Sequence, residues 1–404
     1  MKKITKIFIA IVLILIFISI SYKLYMNYRI KHAIIKVETI DNLDIEVYSD
    51  VKLKDLIESI NGKLIKNKKI DTTKVGKQDI TFEYINEENL KVEYSFEINI
   101  VDITPPMISY TKNFTFYKGT KIDLKSKFFC GDNYDDKPTC EIIGDYNLNE
   151  IGDYNLTFKA TDSSENESVN NFTVHVIEKP EKTENNNNST VQNPVVTNFS
   201  DIITNYKTKD TKIGIDVSKW QGNIDYEKLK EAGVEFVFIR VGNQKGKNGE
   251  YILDDNFVKN IKGFNKVNIP VGVYFFSYAD TNKEAENQAK WVLKQIKKYK
   301  VELPIVFDWE NWKDYRDYNL SFYHLTQMAN TFIKEVETKG YDGMLYSSKN
   351  YLEKIWFKPN TNIWLAHYTN QTNYEGEYKV WQICDDGKID GIEGSKVDID
   401  IMYK

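Results

Sequence analysis

Hydrophobic positions change their spacing several times along this chain, and each change marks a different kind of element. Residues 7–20 form an apolar run with Lys2, Lys3 and Lys6 before it. Tyr22, Tyr25 and Tyr28 follow, with Lys23, Arg29 and Lys31 among them. Such a run predicts a helix with no polar face. It is short for a membrane span, but Lys6 and Lys23 can snorkel and the tyrosines suit an interface. Ile18-Ser19-Ile20-Ser21-Tyr22 is a poor match to a small-x-small cleavage site. Residues 1–32 therefore read as a cytoplasmic tip and an uncleaved signal-anchor helix, with a cleaved signal peptide as the alternative.

The spacing then becomes alternating, which predicts half-buried strands. Glu93-Tyr94-Ser95-Phe96-Glu97-Ile98-Asn99-Ile100 is the longest such stretch. The pattern also repeats. Thr73-Lys74-Val75-Gly76-Lys77-Gln78-Asp79-Ile80-Thr81-Phe82 matches Asn149-Glu150-Ile151-Gly152-Asp153-Tyr154-Asn155-Leu156-Thr157-Phe158, and another alternating strand follows each copy. Thr104-Pro105-Pro106 separates the copies and stiffens the joint. Short strands with regular turns predict two small all-β sandwiches, residues 33–103 and 104–178. Residues 179–210 are rich in Asn, Thr and Ser and poor in large apolar residues, which predicts a flexible linker.

From residue 211 to 404 strands and helices alternate. Ile213-Gly214-Ile215, Phe236-Val237-Phe238-Ile239, Val271-Gly272-Val273-Tyr274-Phe275-Phe276 and Leu303-Pro304-Ile305-Val306-Phe307 are short apolar runs, as in strands buried on both faces. Residues 282–298 carry Ala285, Ala289, Val292 and Ile296 on one helical face. Phe322, Leu325, Ala329, Phe332 and Val336 stripe a later helix. Helices become sparse after Leu352. This predicts a β/α barrel with an irregular second half.

Composition adds limits. A formal net charge of -5 argues against a nucleic-acid partner. Three Cys and four scattered His leave no cluster with zinc spacing, so no metal and no cofactor are expected. Cys130 and Cys140 bracket a turn-rich acidic loop. A disulfide there implies an oxidising compartment. Two unpaired thiols, or a loop whose acids hold calcium, are the alternatives. Cys384 reads as a buried, inert thiol.

Candidate chemistry collects at the strand ends. Asp308 and Glu310 follow the Leu303–Phe307 run two positions apart, so they point to one side with stems roughly 6.6 Å apart. A solvated strand end or a helix cap is the plainer reading of the pair. Asp216 ends the first strand, and Asp398 and Asp400 lie in the last. Barrel closure sets first and last strands side by side, so Asp216 and Asp398 are expected to converge on Asp308 and Glu310. Tyr274, Tyr278, Tyr346, Trp364, Tyr368, Trp381 and Gln382 lie in or near predicted strand ends, where aromatics either stack on sugar rings or pack the core.

Asp216-Val217-Ser218-Lys219-Trp220-Gln221-Gly222 resembles the opening motif of glycoside hydrolase family 25, the Chalaropsis-type lysozymes. Gly272-x-Tyr274, Asp308-Trp309-Glu310, Trp364-Leu365-Ala366-His367-Tyr368, Trp381-Gln382 and Val397-Asp398 follow in that family's order. Arg240-Val241-Gly242-Asn243-Gln244 departs from it, because the family often has Lys-x-Ser/Thr-Glu-Gly there. The upstream repeat resembles bacterial immunoglobulin-like modules. The resemblance implies a flattened barrel cleaving β-1,4 bonds between N-acetylmuramic acid and N-acetylglucosamine in peptidoglycan. Glu310 is then the expected general acid, with Asp308 orienting the substrate's acetamido group and Asp216 and Asp398 beside them. Direct carboxylate attack and inversion through a water remain alternatives. So do an inactive wall-binding scaffold and a chitinase-like glycosidase. A cell-wall substrate places the C-terminal part of the chain outside a single-pass membrane anchor.

Overall fold

The computed structural model describes residues 2–108, 113–180, 196–357, 359–394 and 396–404. It divides into two compact units, Met1–Ile103 and Thr104–Lys404. The first begins with α1, Lys2–Lys31. From Ile7 to Lys31 this helix is long and apolar enough to cross a membrane. Its large side chains stay uncovered, Phe17 being 70% exposed.

The rest of the first unit is mainly strand, with a short 3-10 turn at Leu53–Leu56. A long hairpin, Gly76–Asn86 with Lys91–Val101, is flanked by Asp44–Glu46 and Gly62–Leu64 in one four-stranded sheet. A second sheet pairs Val37–Thr39 with Ile57–Ile60. The alternation sorts the residues: Ile80, Phe82 and Tyr84 are buried, whereas Asp79, Thr81 and Glu83 are exposed.

The second unit opens with the same plan. Gly152–Thr161 and Glu167–Ile177 form its long hairpin, with Thr139–Ile143 and Phe114–Tyr117 on either side. In both copies a short strand runs parallel to the second arm of the hairpin. Leu124, Phe128, Phe158, Phe172 and Val174 fill the core of this second module. Cys130 and Cys140 are joined by a disulfide. Closing so short a loop stabilises the module by about 2–3 kcal/mol.

The barrel follows. Its strands are β1 Thr211–Val217, β2 Val237–Gln244, β3 Val271–Phe276, β4 Ile305–Asp308, β5 Gly343–Ser348, β6 Asn362–Ala366, β7 Val380–Lys388 and β8 Val397–Tyr403. Strands β1 to β7 run parallel in sequence order, and β8 pairs antiparallel with both β7 and β1, which closes the barrel. Helices α3 Tyr226–Glu231, α4 Phe257–Lys266, α5 Asn282–Ile296, α6 Phe322–Glu337 and α7 Lys349–Lys354 belong to the same fold, and none follows α7 among the described residues. All of β4 is buried, because strands flank it on both sides and α6 packs against it.

The predicted linker is shorter than its composition implies. Residues 181–195 lie outside the described residues. Thr197–Asn198 pairs with β7, and α2, Phe199–Tyr206, packs onto the barrel with Phe199 and Ile202 buried. Residues 197–206 thus belong to the barrel. Phe199, Ile202, Ile203 and Tyr206 sit at helical spacing, a stripe hidden among polar neighbours. Phe199→Ala is expected to cost about 3–5 kcal/mol. A thermal melt followed by tryptophan emission reads this, since all seven Trp lie in the barrel. An unchanged melting temperature would return this segment to the linker.

Candidate active site

Three adjoining strands build one wall of a cleft at the barrel mouth. Asp216 near the end of β1 is the register partner of Asp398 on β8, and Asp400 is the partner of Gln382 on β7. Asp308 ends β4 on the other side, and Glu310 follows in the loop. Asp216, Asp308, Glu310 and Asp398 all line this cavity of about 210 Å³. Tyr274, Tyr346, Trp364 and Gln382 line it with them.

A hydrogen-bond network sets the orientation of Gln382. Its Oε1 accepts from Tyr346 Oη at 2.8 Å and Tyr368 Oη at 3.0 Å. With the oxygen held there, Nε2 turns to the acids. It donates to Asp216 Oδ2 at 2.8 Å and lies 3.5 Å from Asp398 Oδ2. Trp364 forms part of the cleft floor, and its Nε1 donates to the buried Asp400 Oδ1 at 2.8 Å. The loop after β4 is pinned as well. Trp309 Nε1 donates to Ala279 O at 3.0 Å, and Asn311 Nδ2 to Ser277 O at 2.8 Å. Asp308 Oδ1 is buried and has no hydrogen-bond partner among the described residues.

So many carboxyls in one cleft resist ionisation. Burial, then the charges of Asp398 and Asp400, push Asp216 well above the usual carboxylate range. Burial and Glu310 do the same to Asp308, with Arg240 pulling it back. Burial, Asp385 and Glu310 raise Asp398 to about 7. Glu310 keeps exposed surface, yet desolvation by the surrounding protein raises its pKa.

Residues 215–392 match the family described as Glycosyl hydrolases family 25. This part of the chain is a family 25 glycosyl hydrolase domain. The uncharacterized protein YegX of Escherichia coli O157:H7 is 28% identical over 204 residues, which are 47% of this chain and 68% of YegX. An autolytic lysozyme of Clostridium acetobutylicum is 26% identical over 191 residues, 45% of this chain and 53% of that protein. The modular autolysin LytC of Streptococcus pneumoniae, solved with a synthetic peptidoglycan ligand, is 30% identical with a TM-score of 0.43. That similarity covers 49% of this chain and 48% of LytC, so the chain spans about half of its length.

Within the family 25 domain the aromatics named from the sequence divide. Tyr274, Tyr346 and Trp364 line the cleft, and Tyr368 stands at its rim, 52% exposed, bonded to Gln382. Trp381 does not line it. Neighbours on a strand point to opposite faces, so Gln382 inside puts Trp381 in the outer core, where its Nε1 donates to His367 O. Tyr278 lies beyond the end of β3 and packs against that same outer core. Arg240 joins the cleft although no site role was assigned to it from sequence. Its Nε and Nη2 donate to buried Asp254 Oδ2 at 2.9 and 2.7 Å. The signal for it was its place at the departure from the family motif. Trp220 lines the rim at 69% exposure, held out on the turn Lys219–Gln221, which ends at Gly222 with φ 64°.

Proposed function

We propose that this protein is a membrane-anchored muramidase of the Chalaropsis type. It cleaves the β-1,4 bond between N-acetylmuramic acid and N-acetylglucosamine in peptidoglycan. The observation that carries this reading is the gathering of Asp216, Asp308, Glu310 and Asp398 in one cleft of a family 25 domain. The helix α1 is the anchor, the two β modules are immunoglobulin-like spacers, and the hydrolase works on the outer face of the membrane. The disulfide between Cys130 and Cys140 agrees with an oxidising location.

The chemistry needs one protonated acid and one carboxylate close by. Glu310 donates its proton to the leaving glycosidic oxygen. Asp308 accepts a hydrogen bond from the acetamido N–H of the muramic acid, whose carbonyl oxygen attacks the anomeric carbon. Water then opens the cyclic intermediate, giving its proton back to Glu310 and its oxygen to the anomeric carbon. The geometry favours this division of roles. Glu310 is exposed at the mouth of the cleft, and the charge of Arg240 partly offsets the burial and the Glu310 charge that oppose ionisation of Asp308. Asp216 and Asp398, bonded to one another through a shared proton and facing Gln382, leave at most one negative charge on the pair near the developing oxocarbenium.

Digestion of purified peptidoglycan by the full chain, with mass spectrometry of the fragments, tests the reading. Reducing-end muramic acid supports it. Reducing-end glucosamine marks a different glycosidase, and no cleavage marks an inactive scaffold. The anomer first released tests the mechanism: β supports the acetamido route and α removes it.

The pH dependence follows from Glu310. Its proton is needed, and burial holds its pKa above the ordinary 4.5. Activity therefore persists above the usual carboxyl range and falls as pH rises through the raised value. A plot of kcat/KM against pH should show this alkaline limb. A decline already complete at the ordinary carboxyl value would remove Glu310 from the acid role.

A further inference from the structure

The second β module does more than precede the barrel in sequence. Its disulfide-closed loop sits on the segment that follows the candidate acid. That segment, Trp312–Tyr318, begins two residues after Glu310 and has no side-chain cap at its start. It leads into α6, whose first N–H groups need acceptors from elsewhere. The module supplies acceptors for three of them, while Ser321 Oγ accepts from His324 N. Phe322 N donates to Asp132 O at 2.7 Å, and Tyr323 N to Asn133 O at 3.3 Å. Ser321 N donates to Asp136 Oδ1 at 2.7 Å, and the same carboxylate pairs with His324 Nδ1 at 2.6 Å. Arg316 Nη2 donates to Lys125 O at 3.2 Å.

Packing reinforces these bonds. The ring of Phe129 lies 5.0 Å from Tyr315. Tyr315 in turn meets the edge of Trp309, with ring centres 6.1 Å apart. Trp309 is the buried residue between Asp308 and Glu310. Gly131 lets the loop approach this closely. A Cβ on it would stand 2.6 Å from Phe322 Cε1 and 3.0 Å from Tyr315 Cε1.

We infer that the loop between Cys130 and Cys140 is a positioning element of the hydrolase, bracing the Trp309–Phe322 stretch so that Glu310 holds its place in the cleft. The module is then a working part of the enzyme. The inference rests on the muramidase reading. Phe129, Gly131 and Asp136 are positioning residues that act through Tyr315, Ser321 and His324.

The test uses the full chain in detergent, with soluble uncrosslinked glycan strands as substrate. Gly131→Ala inserts a wedge at the contact, and Asp136→Ala removes the acceptor for Ser321 and His324. Tryptophan emission reports whether the barrel stays folded, because every Trp belongs to it. Small misplacements of a catalytic group are costly, so kcat should fall about tenfold or more in both variants, with KM unchanged and tryptophan emission still that of a folded barrel. Wild-type kcat in both variants overturns the inference. So does a rise in KM alone, which would make the loop a binding element. Loss of the barrel's tryptophan signal in both also overturns it, since the loop would then serve folding alone. A wild-type chain that cleaves no glycan defeats the muramidase reading itself, so the two failures are distinguishable.

Discussion

Glu310→Gln is expected to lower the cleavage rate by about 10²–10⁴-fold, the range that a positioned general acid contributes. The substitution keeps the size of the side chain and its place two residues beyond β4 but removes the only proton it can deliver. Glu310 stands at the accessible mouth of the cleft, where the leaving oxygen would meet it. No neighbouring acid substitutes readily: Asp216 and Asp398 are engaged with one another and with Gln382. Binding should survive, so pull-down with insoluble peptidoglycan should match the wild type while the release of soluble fragments collapses. The alkaline limb of the pH dependence should vanish with the acid. A variant retaining more than half of the wild-type rate would exclude Glu310 as the proton donor.

Asp308→Asn carries the second large effect. An amide at this position cannot hold negative charge against the developing positive charge of the sugar. It also presents an N–H group where the acetamido N–H would need an acceptor. Removing one preorganised polar group of this kind costs about 10²–10³-fold in kcat. Asp308 lines the cleft, so its carboxyl is the group expected to make that contact. The alkaline limb set by the burial of Glu310 should remain, because that burial does not depend on Asp308. Residual turnover is read by mass spectrometry of fragments after long digestion. An unchanged kcat would separate Asp308 from the chemistry.

Both effects depend on residues that were visible in the chain before any coordinates. Asp308 and Glu310 stood out because an apolar run that ends in two acids, one position skipped, sends both to the same side of a strand. Asp216 and Asp398 were legible for a topological reason, since a closed barrel must bring its first and last strands together. The repeated Gly76 and Gly152 segments announced two like hairpins, and both begin at those glycines. Composition misled at α2. Phe199 and Ile202 are few among Asn, Thr and Ser, so the average polarity of the segment masked a short amphipathic stripe. Alternation applied more strictly would also have separated Gln382 from Trp381.

By itself, then, the sequence determined the local elements and the line-up of acids along them. Those depend on the period of apolar positions, which a single strand or helix carries alone. The tertiary structure decided what each acid meets. Arg240 finds Asp254, Tyr346 and Tyr368 aim Gln382 at Asp216, and the disulfide loop reaches α6 across more than 180 residues of chain. These partners lie on different elements, brought together only when the barrel closes and the module seats on it. Spacing along one element cannot encode such a meeting, because it is set by how the packed surfaces fit.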